Sequence, residues 1–590
     1  MARSTPSGPA SSPRYAALVP QTNMDHESDA PARSRVRQAT TFAKRALGID
    51  ARSPHPSVAE TLHGDETEAP ALNAREVRQL HGIRLFGATG AVLMAVGALG
   101  AGAQPVLQNP VQGLRLLGLP ARTGSSTLTM AMTGTVMVVL AWLLLGRFAV
   151  GSMRGGRAPR QLSRSQLDRT LLLWVIPLTL APPMFSRDVY SYLAQSEIAA
   201  RGLDPYAIGP ADALGVDHVL TRTVPTIWRG TPAPYGPLFL WMGKGITWLT
   251  GENIVAGIFL HRLLALAGVA LIVWALPRLA RRCGVSSVSA LWLGAANPLV
   301  LFHLVAGIHN EALMLGLMLA GVELALRAVE STQPIRGRIL LLLVAGAALI
   351  ALSSTIKIPS LLALGFVGMA LARRWGANLK ALVSAALLLG AVTVVVTIFV
   401  SGASGLGMGW TQTLSTATEV RSWMSIPTLL GLGTGLAGVL LGLGDHTTAV
   451  LSLTRPIASI VAAFVAIRML IAVLVGRIHP VGGLGVSLGA IVLLFPVVQP
   501  WYLLWAVIPL AAWATRPVFR LPAIAFSSVV CVILMPNGAE YEPFMIVQAA
   551  IATVVVSILL IFLTRNRLPW RRQPGAPVRA DPPGAYADSP

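Results

Sequence analysis

The sequence predicts an all-α, polytopic membrane protein, and three observations carry that expectation. Of the 590 residues 54% are hydrophobic and only 12% charged, with a mean hydropathy of +0.64; an apolar excess of that size must face lipid. The apolar residues gather into runs long enough to cross a bilayer, since at 1.5 Å per residue about 20 of them traverse a hydrocarbon layer of roughly 30 Å. The basic residues behind the net charge of +21 are scattered in short groups between those runs. That pattern orients membrane helices and does not build a nucleic-acid surface.

From the N-terminus, residues 1–80 are rich in Pro, Ser, Ala and charge without a sustained apolar period, and read as a disordered cytoplasmic tail. No apolar signal-peptide core lies near Met1. About fourteen spans follow, at 83–104, 126–148, 168–185, 251–276, 284–302, 309–328, 338–355, 358–372, 380–400, 450–475, 482–498, 502–515, 519–536 and 543–563. Residues 566–590 form a second disordered cytoplasmic tail, which leaves 81–565 as the membrane domain.

With the N-terminal tail in the cytoplasm of a plasma-membrane protein, the basic groups at 154–160, 278–282, 336–338 and 373–374 also lie inside, as do Arg565, Arg567, Arg571 and Arg572. The glycine-rich run TLLGLGTGLAGVLLGL at 428–443 would reverse this bias if it spanned, so it reads as an external re-entrant or surface-packed segment. The main external loops are then 186–250 and 401–449, with 303–308, 499–501 and 537–542 on the same side. Cys283 and Cys531 suggest neither a disulfide framework nor a thiolate metal site.

The stretch PPMFSRDVYSYLAQSEIAARGLDPYAIGP, residues 182–210, opens the first long loop. Asp188 lies within three residues of the end of an apolar run, where a buried charge is costly. A carboxylate at that exit can take a proton from a sugar hydroxyl as its oxygen attacks an activated anomeric carbon; helix capping or structural pairing is the rival reading. Arg187 faces a lipid phosphate or anchors the helix at the headgroups. The following residues read as a short interfacial helix to about Ala200, closed by Gly202. Tyr190 and Tyr192 are interfacial aromatics or sugar contacts, and Glu197 either orients an acceptor or pairs with Arg201 four residues on.

In PTIWRGTPAPYGPLFLW, residues 225–241, the prolines and glycines specify a constrained loop. Trp228 and Tyr235 offer a stacking wall for a sugar or anchor the interface, and Arg229 is a candidate phosphate ligand. HLVAGIHNEALMLG, residues 303–316, supplies His303, His309, Asn310 and Glu311. Its histidine spacing does not match the zinc pattern H-E-x-x-H, and no metal ligand is assigned; His309 and Asn310 are substrate-bonding groups or helix-terminal structure. Lys357, in the apolar setting ALSSTIKIPS, neutralises a phosphate or snorkels to the interface. Arg421, with Trp423, is an alternative cation. PVVQPWYLLW, residues 496–505, places Gln499, Trp501 and Tyr502 at the external surface, against a polyprenyl phosphate or as a helix end.

Together FSRDVYSYLAQSEIAARGLDPY, TPAPYGPLFLW, AGIHNEALMLG and QPWYLLW resemble the actinobacterial polyprenol-phosphomannose-dependent α-(1→6)-mannosyltransferases, members of the GT-C class of integral membrane glycosyltransferases, over most of residues 80–565. The resemblance implies a GT-C helical core with catalytic external loops and Asp188 as the first-loop catalytic carboxylate. It also implies a polyprenyl phosphomannose donor and a mannan or phosphatidylinositol mannoside-type acceptor, used in lipomannan and lipoarabinomannan core synthesis. Two predicted spans before the helix that ends at Asp188 depart from the usual GT-C arrangement, which puts the numbering of the core helices in doubt. Membrane lipids are the remaining partner; no cofactor and no nucleic acid are expected, and divalent-metal use is undecided by the residues. A polyprenyl-linked sugar or oligosaccharide transporter is the alternative, although no paired internal repeat supports it.

Overall fold

The computed structural model describes residues 72–150, 162–418, 422–534, 536 and 541–570. The tail expectations for 1–71 and 571–590, and the candidate Arg421, lie outside the described residues. Every regular element among the described residues is a helix.

The first helix, α1 (Ala74–Ala101), begins where Asn73 accepts from the Glu76 amide at 2.9 Å while Glu76 accepts from the Asn73 amide at 2.8 Å, a reciprocal cap that satisfies two otherwise orphaned donors. It packs against α2 (Gly124–Val150) with almost no side chain between them: a Cβ on Gly90 would lie 2.8 Å from the Gly134 carbonyl. Small residues of this kind let membrane helices approach backbone to backbone. The helix α3 (Arg164–Leu180) stops before Pro182 and Pro183, and α4 (Asp188–Ala200) and α5 (Pro237–Thr250) lie in the connection that follows. Next come the long α6 (Ile254–Arg282) and the short α7 (Ser287–Leu293), with a π-helical segment at Val300–Ala306 after it.

The central helix is α8 (Glu311–Val329), with 83% of its apolar window buried in protein. It is crossed closely by α6, where a Cβ on Gly268 would meet the Ala312 carbonyl carbon at 2.2 Å, and by α9 (Gly337–Ser354), where a Cβ on Gly321 would meet the Gly346 carbonyl at 2.6 Å. The chain continues through α10 (Leu362–Arg374), α11 (Leu379–Ala403), α12 (Ile426–Leu440), α13 (Thr447–Leu474), α14 (Pro480–Leu494), α15 (Leu503–Trp513), α16 (Pro517–Ile533) and α17 (Pro543–Thr564). Only 11% of the apolar window of α17 is buried, so its leucines and valines face outward, as a lipid-facing helix requires.

Among the described residues eight helices, α1, α2, α6, α8, α9, α11, α13 and α17, are long and apolar enough to cross a membrane, so the chain is a multi-pass membrane protein. Of the fourteen expected spans, these eight are matched by helices of full spanning length. The other six runs are helical but short or interrupted, and the run at 284–302 is split because Pro298 disfavours helical geometry at Asn297. The first helix starts at Ala74, inside the stretch read as tail. Residues 428–440 of the 428–443 segment lie in α12, a regular helix of 15 residues about 22 Å long, and 441–443 turn away from it. The helix is packed along α13 and tied to the 495–499 connection by the Thr428 hydroxyl, which donates to the Pro496 carbonyl at 3.1 Å. The helix expected at an interface, α4, is buried from Val189 to Ala199.

The two ends of the central bundle differ in chemistry. At the far end of α8, Arg282 donates to both oxygens of Glu323, at 2.8 and 3.0 Å, and pairs with Glu330; Arg374 donates to the Val329 carbonyl at 2.8 Å. The other end, where α8 starts at Glu311, receives the broken connections described next.

Candidate active site

Four helix breaks converge at the start of α8. In the first, α3 ends at Leu180 and Phe185 takes a left-handed φ of 65°. The Ser186 hydroxyl then accepts from the Asp188 amide at 3.0 Å, so Asp188 opens α4. In the second, the π-helical turn Val300–Ala306 leads through Ile308, at φ 60°, into His309, Asn310 and Glu311. A β-branched residue rarely occupies that region, and π turns and such strained residues collect at functional sites.

Arg262 of α6 sews these two breaks together. Its guanidinium is buried and donates to the carbonyls of Thr179 at 2.7 Å, Ala181 at 2.5 Å and Ala306 at 3.5 Å. The Met184 amide also donates to Ala306, at 3.2 Å, and Phe185 stacks on Phe302 at 5.1 Å. In the third break, at the end of α9, the carbonyls of Thr355 and Ile356 accept from the Leu238 and Gly236 amides at 3.1 and 3.0 Å, which docks the PYG loop beside Lys357. The fourth, between α14 and α15, sets Trp501 and Tyr502 on a 3-10 turn.

The side chains so delivered form a chain in which acidic and basic residues alternate. Asp188 Oδ2 lies 3.4 Å from His309 Nδ1, and the same nitrogen lies 4.0 Å from Glu311 Oε2. Glu311 Oε1 accepts from Lys357 Nζ, which also donates to the Tyr502 hydroxyl at 3.1 Å and sits 4.6 Å from its ring centroid. His309 stacks on Trp501 with centroids 3.5 Å apart at 21°, and Tyr502 stacks on Trp505 at 4.2 Å. His309 and Glu311 are buried, whereas the Asp188 side chain keeps 29% of its surface and that of Lys357 19%.

Burial works to raise the Asp188 carboxyl, but His309, the Ser186 hydroxyl and the Lys357 charge together outweigh it and hold it below the usual range for aspartate. Burial equally opposes the Lys357 charge, and Glu311 and Tyr502 more than offset it, so the ammonium is held above its ordinary range. Tyr192 and Tyr235 are pushed up by burial first and then by the nearby Asp188 and Glu311 charges, so both stay protonated donors.

Of the residues singled out from sequence, the structure brings together Asp188, His309, Lys357, Trp501 and Tyr502, with Tyr192 and Tyr235 packed edge to face at 5.0 Å beside them. Asn310 is buried with its amide unpaired among the described residues, and Gln499 is half-buried at the start of the Trp501 turn. Others are committed elsewhere. Tyr190 donates to the Ala103 carbonyl, away from Asp188. Glu197 pairs with Arg201 at 2.7 Å, nine residues and about 13 Å along α4. Arg229 donates to the Val224 and Arg222 carbonyls at 3.0 and 2.9 Å, holding its own loop, and Trp228 is half-buried in that loop's 3-10 turn. Arg187 donates to the Thr223 carbonyl at 3.2 Å.

Glu311 and Arg262 carry the geometry without having been assigned a role from sequence. For each a signal existed: Glu311 directly follows His309 and Asn310 at the head of an apolar run, and Arg262 is a charge inside one, which is expensive unless it has a task.

Two family models match the chain. Residues 84–373 match the one described as alpha-(1->6)-mannopyranosyltransferase, N-terminal domain, and residues 427–562 the MptB C-terminal domain. A probable alpha-(1->6)-mannopyranosyltransferase of Mycolicibacterium smegmatis is 59% identical over 90% of this chain and 97% of its own length. An alpha-(1->6)-mannopyranosyltransferase of Mycobacterium tuberculosis is 55% identical over 90% of this chain and 98% of its own. Alpha-(1->6)-mannopyranosyltransferase B of Corynebacterium glutamicum is 40% identical over 81% of each. No solved structure matches the chain.

Proposed function

This chain belongs to the alpha-(1→6)-mannopyranosyltransferase family and is a membrane mannosyltransferase, and from that premise we propose that it is an inverting enzyme in which Asp188 is the base. The donor is polyprenyl phosphomannose. The acceptor is the 6-hydroxyl of an α-1,6-mannan, or of a phosphatidylinositol mannoside-type lipid that carries one, in lipomannan and lipoarabinomannan core synthesis.

The observation that carries the reading is Asp188 itself: an ionised carboxylate, partly exposed, at the open end of a charge chain whose other members are buried or paired. The acceptor oxygen forms a bond to mannose C1 as its proton passes to Asp188. The bond from C1 to the phosphate oxygen breaks, and its electron pair leaves with polyprenyl phosphate. A β-linked donor gives the α product in one displacement, without a glycosyl-enzyme. The departing phosphate requires positive charge more than a proton. Lys357 is the candidate whose charge already reaches Asp188, and Arg187, next to it in sequence, is the second.

The helical core is of the GT-C type, and the site opens on the extracytoplasmic face with both termini in the cytoplasm. This orientation is supported by the basic ends of α6 and α10, which lie at the opposite end of α8 from Asp188. The test is reconstitution with synthetic polyprenyl phosphomannose and a short α-1,6-mannoside. Asp188→Asn retains folding and donor binding and loses at least about a hundredfold in transfer. Near-normal turnover by the folded variant overturns the assignment.

A further inference from the structure

We infer that His309 is a positioning residue that fixes one oxygen of the Asp188 carboxylate and leaves the other free to receive the acceptor's proton. The inference rests on Asp188 being the base.

His309 is enclosed on all sides, with no exposed surface, and its ring is pressed against the Trp501 indole at 3.5 Å between centroids. That stack leaves the imidazole free to turn only within its own plane. Its Nδ1 lies near two carboxylates, Asp188 Oδ2 at 3.4 Å and Glu311 Oε2 at 4.0 Å. The two are not equivalent. Glu311 is already claimed by Lys357, so its charge is largely neutralised, whereas no Lys or Arg among the described residues pairs with Asp188. A proton on Nδ1 is therefore drawn to Asp188 Oδ2. The remaining 3.4 Å is of the kind that closes as substrates bind, because catalytic hydrogen bonds tighten in the reacting complex. The Ser186 hydroxyl fixes the start of the helix that carries Asp188, and once the Oδ2 contact closes, Oδ1 is the oxygen left for the acceptor's proton. The Glu311–Lys357 pair thus acts on the base indirectly, by removing the competitor for the His309 proton.

The experiment separates the hydrogen bond from the stack. His309→Phe keeps a ring on Trp501 and removes the donor; His309→Asn removes the ring and keeps an amide N–H near the place of Nδ1. On the full chain in detergent, with thermal unfolding as the folding control, His309→Phe is expected to lose about a hundredfold in kcat, with the donor KM changed less than about threefold. His309→Asn is expected to recover kcat to within about tenfold of the parent. His309→Leu replaces His309→Phe if the larger ring does not fold. The double variant Asp188→Asn with His309→Phe is expected to be no slower than Asp188→Asn alone, since the two residues act as one unit.

A His309→Phe enzyme with normal kcat overturns the inference, and so does a folded His309→Asn enzyme as slow as the Phe variant, because the stack would then be what counts. The two readings fail separately. An active Asp188→Asn removes the base and this inference with it, whereas an inactive Asp188→Asn beside an active His309→Phe removes only the positioning role.

Discussion

Lys357 and Glu311, 46 residues apart in sequence, are joined as an ion pair at the mouth of the bundle, so the ammonium is shared with a carboxylate before any phosphate arrives. A buried pair of this kind costs most when half of it is removed, because the survivor is left charged and unpaired. Lys357→Met and Glu311→Leu are each expected to cost about 3 kcal/mol, and the double variant is expected to regain most of that. Thermal unfolding in detergent of the three proteins checks the cycle.

The pH dependence follows from the direction of the Asp188 shift. The groups around it are His309, Glu311, Lys357, Ser186, Tyr192 and Tyr235, and their net effect holds its carboxyl below the ordinary aspartate range. The carboxylate therefore persists as pH falls through 5, and kcat/KM is expected to stay level until below about pH 4. The same sign governs stability: Asp188's contribution is present above the unfolded-state pKa and is lost as pH drops through the lowered folded one. An acid limb of kcat/KM centred near pH 6 in the wild-type enzyme contradicts this.

Arg262 is expected to matter for assembly of the site more than for the reaction. Arg262→Lys offers one ammonium in place of a fork that reaches three carbonyls on two chain breaks. A loss of about 2–3 kcal/mol is expected, since hydrogen bonds from charged donors each contribute about 1.5–3 kcal/mol. Arg262→Met, which removes all three bonds and leaves the Ala306 carbonyl only the Met184 amide, is expected to lose more. Melting temperature and turnover should fall together along this series.

A methyl group at Gly236 would lie 2.1 Å from the Thr355 carbonyl oxygen, in the contact that docks the PYG loop beside Lys357. Gly236→Ala is expected to reduce kcat at least about tenfold by displacing that loop. Gly230→Ala, in the same loop but with nothing within 4 Å of the added carbon, is expected to stay within about twofold of the parent. Parallel kinetics of the two variants distinguish a specific contact from a general intolerance of the loop.

The apolar runs were legible because burial in lipid demands length and hydropathy, and each of the fourteen expected runs is helical somewhere in the structure. What could not be read was continuity. Pro298 marks the break in the 284–302 run, but the contacts that fix its shape include the Asn297 amide bonded to the Leu293 carbonyl and to the Ser527 hydroxyl, a partner 230 residues away. In the site, Asp188, His309, Lys357 and Tyr502 were legible because a polar residue beside an apolar run is expensive without a task. Their pairing was not. Tyr190 is an interfacial aromatic or a sugar contact by sequence, but two residues from Asp188 along a helix is nearly the opposite face, and it bonds to Ala103. Arg229 is a candidate phosphate ligand by sequence, and only the folded loop reveals the two carbonyls it serves. Arg262 vanished into the average hydropathy of its run.

With the backbone of Gly268 against Ala312 and that of Gly321 against Gly346, α6, α8 and α9 interlock where only a hydrogen atom fits. Sliding one of them past another by part of a turn would drive a side chain into main chain. The bundle behaves as a stator, and whatever shifts during turnover is left to the connections and side chains at its mouth, not to these three helices.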